Sequence, residues 1–171
     1  MNWQLTLPLE TLTRVKPTPY TVFELHNMDQ AREILRMAKE FADDYPIPEI
    51  VDDTVLIASC MSLIKDGERK HLNAFIAYLE DKAIGFLVAD CMPVWYNRRI
   101  IAEQRLWFVS KQFRGSRAAP LLIKAYEAWA IRNGATHLYT GTGNERYAEQ
   151  TSRLLEQLGF KRVGSMHLKE I

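Results

Sequence analysis

Hydrophobic and polar positions along the chain fall into short blocks with two different periods. Trp3, Leu5, Leu7 and Leu9 alternate with polar residues or Pro8, the period-two pattern of a strand, and Pro8 pushes that strand to a sheet edge. After Pro17 and Pro19, the run Tyr20-Thr-Val-Phe-Glu-Leu25 reads as a second strand. Asp29 is the expected cap of the helix that follows. In that helix Ala31, Ile34, Leu35, Ala38, Phe41, Ala42 and Tyr45 recur at helical spacing, and Arg32, Glu33, Arg36, Lys39, Glu40 and Asp43 take the opposite face. Pro46 and Pro48 end it. Residues 54–64 are apolar almost all round, which predicts a buried helix capped by Asp52 or Asp53 and stopped by Gly67.

Residues 72–80 and 83–91 read as two strands, with Asp81 and Lys82 as the hairpin turn. A loop rich in Trp95, Tyr96, Asn97, Arg98 and Arg99 leads to a third strand over residues 100–110. Helix, strand, helix and strand follow over 118–133, 136–142, 147–158 and 160–170. Gly134 and Gly159 stand where the residue just past a helix belongs. A strand meander followed by β-α-β-α-β calls for an α/β (α+β) protein with a mixed sheet and helices packed on its faces.

Composition narrows the functional classes. The chain has 171 residues, 47% hydrophobic and 25% charged, and 22 Lys+Arg against 21 Asp+Glu leave a net charge of +1. That profile suits one globular domain over residues 1–171, with residues 1–17 as an edge strand or arm. A protein binding nucleic acid mainly by charge would carry a basic excess, and a disordered chain would carry fewer apolar residues. The apolar charge-free stretches at residues 54–64 and 83–89 fall short of the about 20 apolar residues that cross a bilayer. Residues 1–10 lack the basic segment and apolar core of a secretory leader. Cys60 and Cys91 lie in apolar stretches and read as small buried hydrophobes rather than a disulfide framework, so a reducing cytoplasm is expected. His26, His71, His137 and His167 are scattered without zinc-ligand spacing, and no metal is expected.

The chemistry concentrates in Leu106-Trp-Phe-Val-Ser-Lys-Gln-Phe-Arg-Gly-Ser-Arg-Ala-Ala-Pro-Leu-Leu122, a strand running through a small-residue loop into a helix. The first turn of a helix carries N–H groups with no internal partner, and these, with the helix dipole, attract phosphate. Gly115, Ser116, Ala118 and Ala119 let a pyrophosphate approach the backbone, while Arg114 and Arg117 add charge. Pro120 lacks an N–H, belongs in the first helical turn and biases Ala119 away from helical angles, which puts the helix start between Arg117 and Pro120. An ordinary strand-to-helix loop with two surface arginines is the competing reading.

Four segments lie in a telling order: Arg114-Gly-Ser-Arg-Ala-Ala119, a helix ending Glu127-Ala-Trp-Ala-Ile-Arg-Asn-Gly-Ala135, the strand His137-Leu-Tyr139, and the closing Leu154-Leu-Glu-Gln-Leu-Gly-Phe160. Together they resemble the GNAT superfamily of N-acetyltransferases over about residues 102–163, and the loop's wording is similar to that of small phage and prophage members. The resemblance implies a central mixed, mostly antiparallel sheet flanked by about four helices, acetyl-coenzyme A as acyl donor, and no metal.

Carried over position by position, the resemblance implies that Arg114, Gly115, Ser116, Arg117, Ala118 and Ala119 hold the pyrophosphate. Trp107, Phe108 and Val109 stand where the family's strand pairs with the pantetheine arm, and Asn144 could touch its amides or cap the next helix. The chain departs from the family pattern at Arg117, where a glycine is usual, and at Pro120. It departs again at Leu155, where the family often has the tyrosine that protonates the leaving thiolate. Ser152 and Tyr147 are the candidate substitutes, with capping or packing as their bland roles. Glu103, in a strand that otherwise reads as buried, is the candidate base; partial burial would raise its pKa, and a salt bridge to Arg105 or Arg98 is the alternative. A backbone N–H near Val109 would polarise the thioester carbonyl.

Acceptor specificity is expected from residues 54–64, the loop over 92–99 and the C-terminal strand, with Trp95, Tyr96, Arg98 and Arg99 suiting an acidic or aromatic acceptor or a neighbouring chain. Trp129 and Tyr126 read as core. The leading expectation is transfer of an acetyl group to a primary amine of a small molecule or protein, by direct attack in a ternary complex. Two others stand beside it. One is a catalytically weak or silent coenzyme A-binding module working through protein contacts. The other is a related enzyme acting on nucleic acid through Arg98, Arg99, Arg105, Lys111, Arg114 and Arg117, against which the near-neutral charge argues. No membrane partner is expected; an edge strand and exposed aromatics would suit a homodimer.

Overall fold

The structure, a computed structural model, describes residues 19–44, 51–65, 71–142 and 147–164. Its elements in chain order are β1 (Tyr20–Glu24), α1 (Met28–Asp44), α2 (Asp53–Lys65), β2 (Leu72–Leu79), β3 (Lys82–Pro93), β4 (Ile100–Val109), a single 3-10 turn (Lys111–Phe113), α3 (Ala118–Arg132), β5 (Ala135–Tyr139) and α4 (Ala148–Gln157). The five strands form one sheet in the order β1-β2-β3-β4-β5. The first three pairings are antiparallel, and β4 pairs β5 in parallel across α3. This is the mixed sheet that the hydrophobic pattern calls for, mostly antiparallel as the resemblance implies.

Helices cover both faces, so the central strands read as nearly continuous apolar runs. On one face Phe75, Leu87, Ala89 and Ala102 pack against Leu122, Ile123, Tyr126 and Trp129 of α3. On the other, Ala74, Ile76, Phe86 and Phe108 pack against Ala31, Ile34, Met37 and Ala38 of α1 and Cys60 and Leu63 of α2. Among the described residues no helix is long and apolar enough to cross a membrane.

Several expectations need correction. Asp29 does not cap α1. Asn27 does: its Oδ1 accepts from the Gln30 amide at 2.9 Å, and the Gln30 side chain reaches back to the His26 amide at 2.8 Å, a reciprocal arrangement close to a capping box. At α2, Asp52 is the cap, accepting from the Val55 amide at 3.0 Å. That helix is not buried: only Cys60 and Leu63 are, and Val55 is 62% exposed. α2 packs chiefly on α1 and β2, and small residues such as Ala58, Ser59 and Ser62 fill its outer side. The Ser59 hydroxyl bonds back to the Val55 carbonyl at 2.9 Å, so it hides its polarity in its own helix. The β2–β3 turn is Glu80-Asp81, because Leu79 pairs Lys82, and Glu80 takes the left-handed conformation there (φ 54°). The last strand is shorter than expected, β5 ending at Tyr139. Residues 160–164 form no strand. The rest of that stretch, the Trp3 to Leu9 pattern, Pro46, Pro48, Gly67 and Asn144 lie outside the described residues.

One irregularity positions the site. Val88 pairs Leu106 but Ala89 pairs Gln104, so Arg105 is an extra residue, a β-bulge in β4. Before it Ala102 points toward α3; after it Phe108 points toward α1 and α2.

Candidate functional site

The loop after β4 leaves part of its own backbone unsatisfied. The amides of Phe113, Arg114 and Ser116 bond to the carbonyls of Ser110, Lys111 and Phe113, and the Ala118 amide reaches Ser116 Oγ at 3.3 Å. The amides of Gly115, Arg117 and Ala119 have no partner among the described residues. Arg117 occupies the cap position of α3 with helical angles (φ −73°, ψ −7°) and makes no side-chain cap. A Ser or Asp there would have consumed an amide. Gly115 sits at φ 78°, where a side chain is strained, although a Cβ would meet nothing within 4 Å. Ala118 is fully buried and fixes the helix onto the sheet. Pro120 does fall in the first turn, yet Ala119 is helical despite the bias expected of the residue before proline.

The two loop arginines differ. Arg114 is turned inward: Nη2 bonds Asp44 at 2.6 Å, Nε bonds the Val109 carbonyl at 3.1 Å, and the guanidinium lies 4.4 Å over the Tyr147 ring and 5.7 Å from Phe108. It ties the end of α1 to the end of β4 and the start of α4. Arg117 is exposed and has no ion-pair partner among the described residues.

Next to this loop the sheet forks. β5 pairs β4 only from Ile100 to Glu103, and β4 runs on to Val109 with no strand on that side among the described residues. Gln104 stands at the fork; its Oε1 accepts from Thr140 Oγ1 at 3.0 Å and from the Gly141 amide at 3.1 Å. The sequence carried one signal for it, a polar amide beside Glu103 in an apolar strand. Beyond the fork, Phe108 and Val109 are buried, which leaves their backbone to a ligand, and Trp107 packs half-buried against the α3-side core. On the opposite edge Gly85 faces Val109, where a Cβ would stand 2.8 Å from the Phe108 carbonyl oxygen. Leu155 is buried in the α3-side core. Tyr147, at the cap of α4, and Ser152, in its second turn, are half-buried.

Glu103 lies on the sheet face opposite α3, in register with Asp90 of β3 and Tyr139 of β5. Its side chain is 46% exposed rather than buried, since α1 and α2 cover the other end of this face. Arg105 sits between the two carboxylates: Nε bonds Asp90 Oδ2, and Nη1 lies 3.7 Å from Glu103. The hydrogen bond to Asp90 lifts the Arg105 guanidinium above its already high pKa. Asp90 is nearly buried, and its second oxygen has no partner among the described residues. Behind Tyr139, the buried Tyr126 hydroxyl donates to the Tyr139 carbonyl at 3.1 Å; burial pushes its pKa upward, which keeps it a neutral donor.

Comparison with known proteins fits this geometry. The model of the acetyltransferase (GNAT) family matches residues 29–160. The chain belongs to the GNAT acetyltransferase family. No match is found among curated protein sequences. Among solved structures, the aminoglycoside acetyltransferase AAC(6')-Iy, bound to a CoA bisubstrate analogue, superposes with a TM-score of 0.71 at 19% identity, covering 89% of this chain and 97% of its own. An aminoglycoside acetyltransferase from an uncultured soil metagenomic sample, in complex with sisomicin, gives 0.65 at 15% identity, with 89% and 97% covered. The ribosomal-protein-alanine N-acetyltransferase of Brucella melitensis gives 0.65 at 18% identity, with 89% and 99% covered. At such identities the likeness establishes the GNAT fold. The matched segment contains the forked strands, the open amides and Glu103.

Proposed function

We propose that this GNAT acetyltransferase moves an acetyl group from acetyl-coenzyme A to a primary amine of a small molecule or protein, by direct attack in a ternary complex. The observation that carries the reading is the set of open amides at Gly115, Arg117 and Ala119, at the foot of a strand whose edge is unpaired. Three N–H groups at a helix start suit a pyrophosphate, and Arg117 adds an unengaged charge. The free edge of β4 over residues 104–109 suits the amides of the pantetheine arm, as an added strand would. That alignment brings the thioester toward Glu103.

In the reaction, Glu103 takes a proton from the acceptor ammonium, directly or through water. The freed nitrogen bonds to the thioester carbonyl carbon, the C–S bond breaks, the coenzyme A thiolate leaves, and the nitrogen gives its second proton to solvent to form the neutral amide. A β4 amide near Val109 steadies the carbonyl oxygen. Leu155 offers no proton to the thiolate. Tyr147, at the cap of α4, and Ser152, within it, are the candidates to supply one.

The buried Leu155 is also the observation that favours a silent coenzyme A-binding module as the second reading. Action on nucleic acid loses ground, since Arg105 and Arg114 are spent on Asp90 and Asp44. Incubation with acetyl-coenzyme A and a panel of amines decides between transfer and silent binding. Amine-dependent release of free thiol is expected. A rise in melting temperature with acetyl-coenzyme A and desulfo-coenzyme A, without thiol release, would assign the protein to the silent class.

A further inference from the structure

We propose that the hairpin tip between β3 and β4 recognises a polypeptide acceptor, selecting acidic side chains about four residues from the reacting amine. This rests on the acetyltransferase reading and names the substrate class of that site. At the tip Trp95 is 93% exposed and Tyr96 70% exposed. Their rings meet edge to face at 5.2 Å. They are held out by a closed turn: the Val94 amide bonds the Arg99 carbonyl at 2.8 Å, and the Arg99 amide bonds Asn97 Oδ1 at 2.8 Å. Arg98 and Arg99 are exposed and have no ion-pair partner among the described residues. Trp, Tyr and Arg presented rigidly to water are the residue types that dominate protein-recognition hot spots.

Position and charge choose the partner. β4 runs from this tip to the donor loop, so a nucleotide bound at the loop leaves the tip end for the acceptor. Arg99 lies four residues before Glu103, roughly 13 Å at the rise of a strand, a span that about four residues of extended peptide match. Along that path the charge changes sign, from Arg98 and Arg99 at the tip to Asp90 and Glu103 at the reacting end, where Arg105 is already held by Asp90. A peptide with an ammonium at Glu103 and carboxylates at the tip matches this polarity. A nucleic-acid strand, with uniform negative charge, would meet two carboxylates and no continuous cationic track.

The test uses the full chain and three peptides, each with one lysine and a pair of glutamates, glutamines or arginines four residues away. The acidic peptide should show a KM about 10-fold below the neutral one. The triple variant Trp95→Ala, Arg98→Ala, Arg99→Ala should abolish that preference and leave turnover of a simple alkylamine unchanged. Equal KM values for the three peptides, or a preference that survives in the variant, would overturn the proposal. Binding is read separately from transfer. The acidic peptide should blue-shift tryptophan emission in the wild type and not in Trp95→Phe, and absence of that shift overturns the proposal. If no amine is ever acetylated, the acetyltransferase reading falls while the emission shift still decides the tip. Tighter binding of a single-stranded oligonucleotide, or self-association lost in the triple variant, would reassign the tip and overturn the peptide assignment.

Discussion

Arg114 and Arg117 stand three residues apart in one loop and have different physical tasks. Arg114 spans three elements and is paired with Asp44 at 2.6 Å, with their side chains 26% and 18% exposed. Asp44→Ala leaves that cation half-buried without its carboxylate and should cost about 2 kcal/mol of stability, read by urea denaturation. Arg117→Ala should leave stability unchanged and weaken acetyl-coenzyme A binding about 5-fold, read by calorimetry. Nothing in the sequence distinguished the two, because the partner that claims Arg114 lies 70 residues earlier in the chain. Glu103 was visible as a carboxylate in an apolar strand, but its opposite number Asp90 was not, since cross-strand register is a property of the fold. Glu103→Gln should lower kcat by about 100-fold or more and leave donor binding intact, as loss of a general base does. An unchanged turnover would remove Glu103 from the mechanism.

At the scale of elements, strong periodicity was legible and burial was less so. α1 followed from its spacing of apolar residues, α3 from the loop and proline that start it and the glycine that ends it, and the β2–β3 hairpin from two apolar runs separated by a turn. α2 was legible as a helix but its exposure was not, because a sequence without charges looks the same whether a helix is buried or carries small residues on its outer side. The cap of α1 was misplaced by two residues because Asn27 and Asp29 are both good cap types, and only the Gln30 side chain decides between them. Asn27→Ala should cost about 1 kcal/mol, measured by urea denaturation, and Asp29→Ala much less. Gly85 reports on strand packing. A Cβ there would stand 2.8 Å from the Phe108 carbonyl oxygen and 3.1 Å from Val109 Cγ2, so Gly85→Ala has to push β3 from β4 beside the unpaired edge of β4. It should destabilise the protein by about 2 kcal/mol and raise KM for acetyl-coenzyme A.

In the whole molecule, β4 is the axis of the site. One end opens into the loop with free amides, the middle forks away from β5, and the other end carries the exposed aromatic tip. The fork was not legible, because the end of a parallel pairing is set by where β5 stops and by the hold of Gln104 on Thr140 and Gly141. The strand-to-helix loop was legible because its small residues and Pro120 are contiguous in sequence, and the closing helix because Gly159 marks its end. The most direct measurement is an amide-resolved NMR titration with coenzyme A. Gly115, Arg117 and Ala119 should show the largest shifts, saturating together and accompanied by amides of residues 104–109. If those amides stay unmoved while coenzyme A binds and shifts another part of the chain, the donor site has been placed on the wrong backbone.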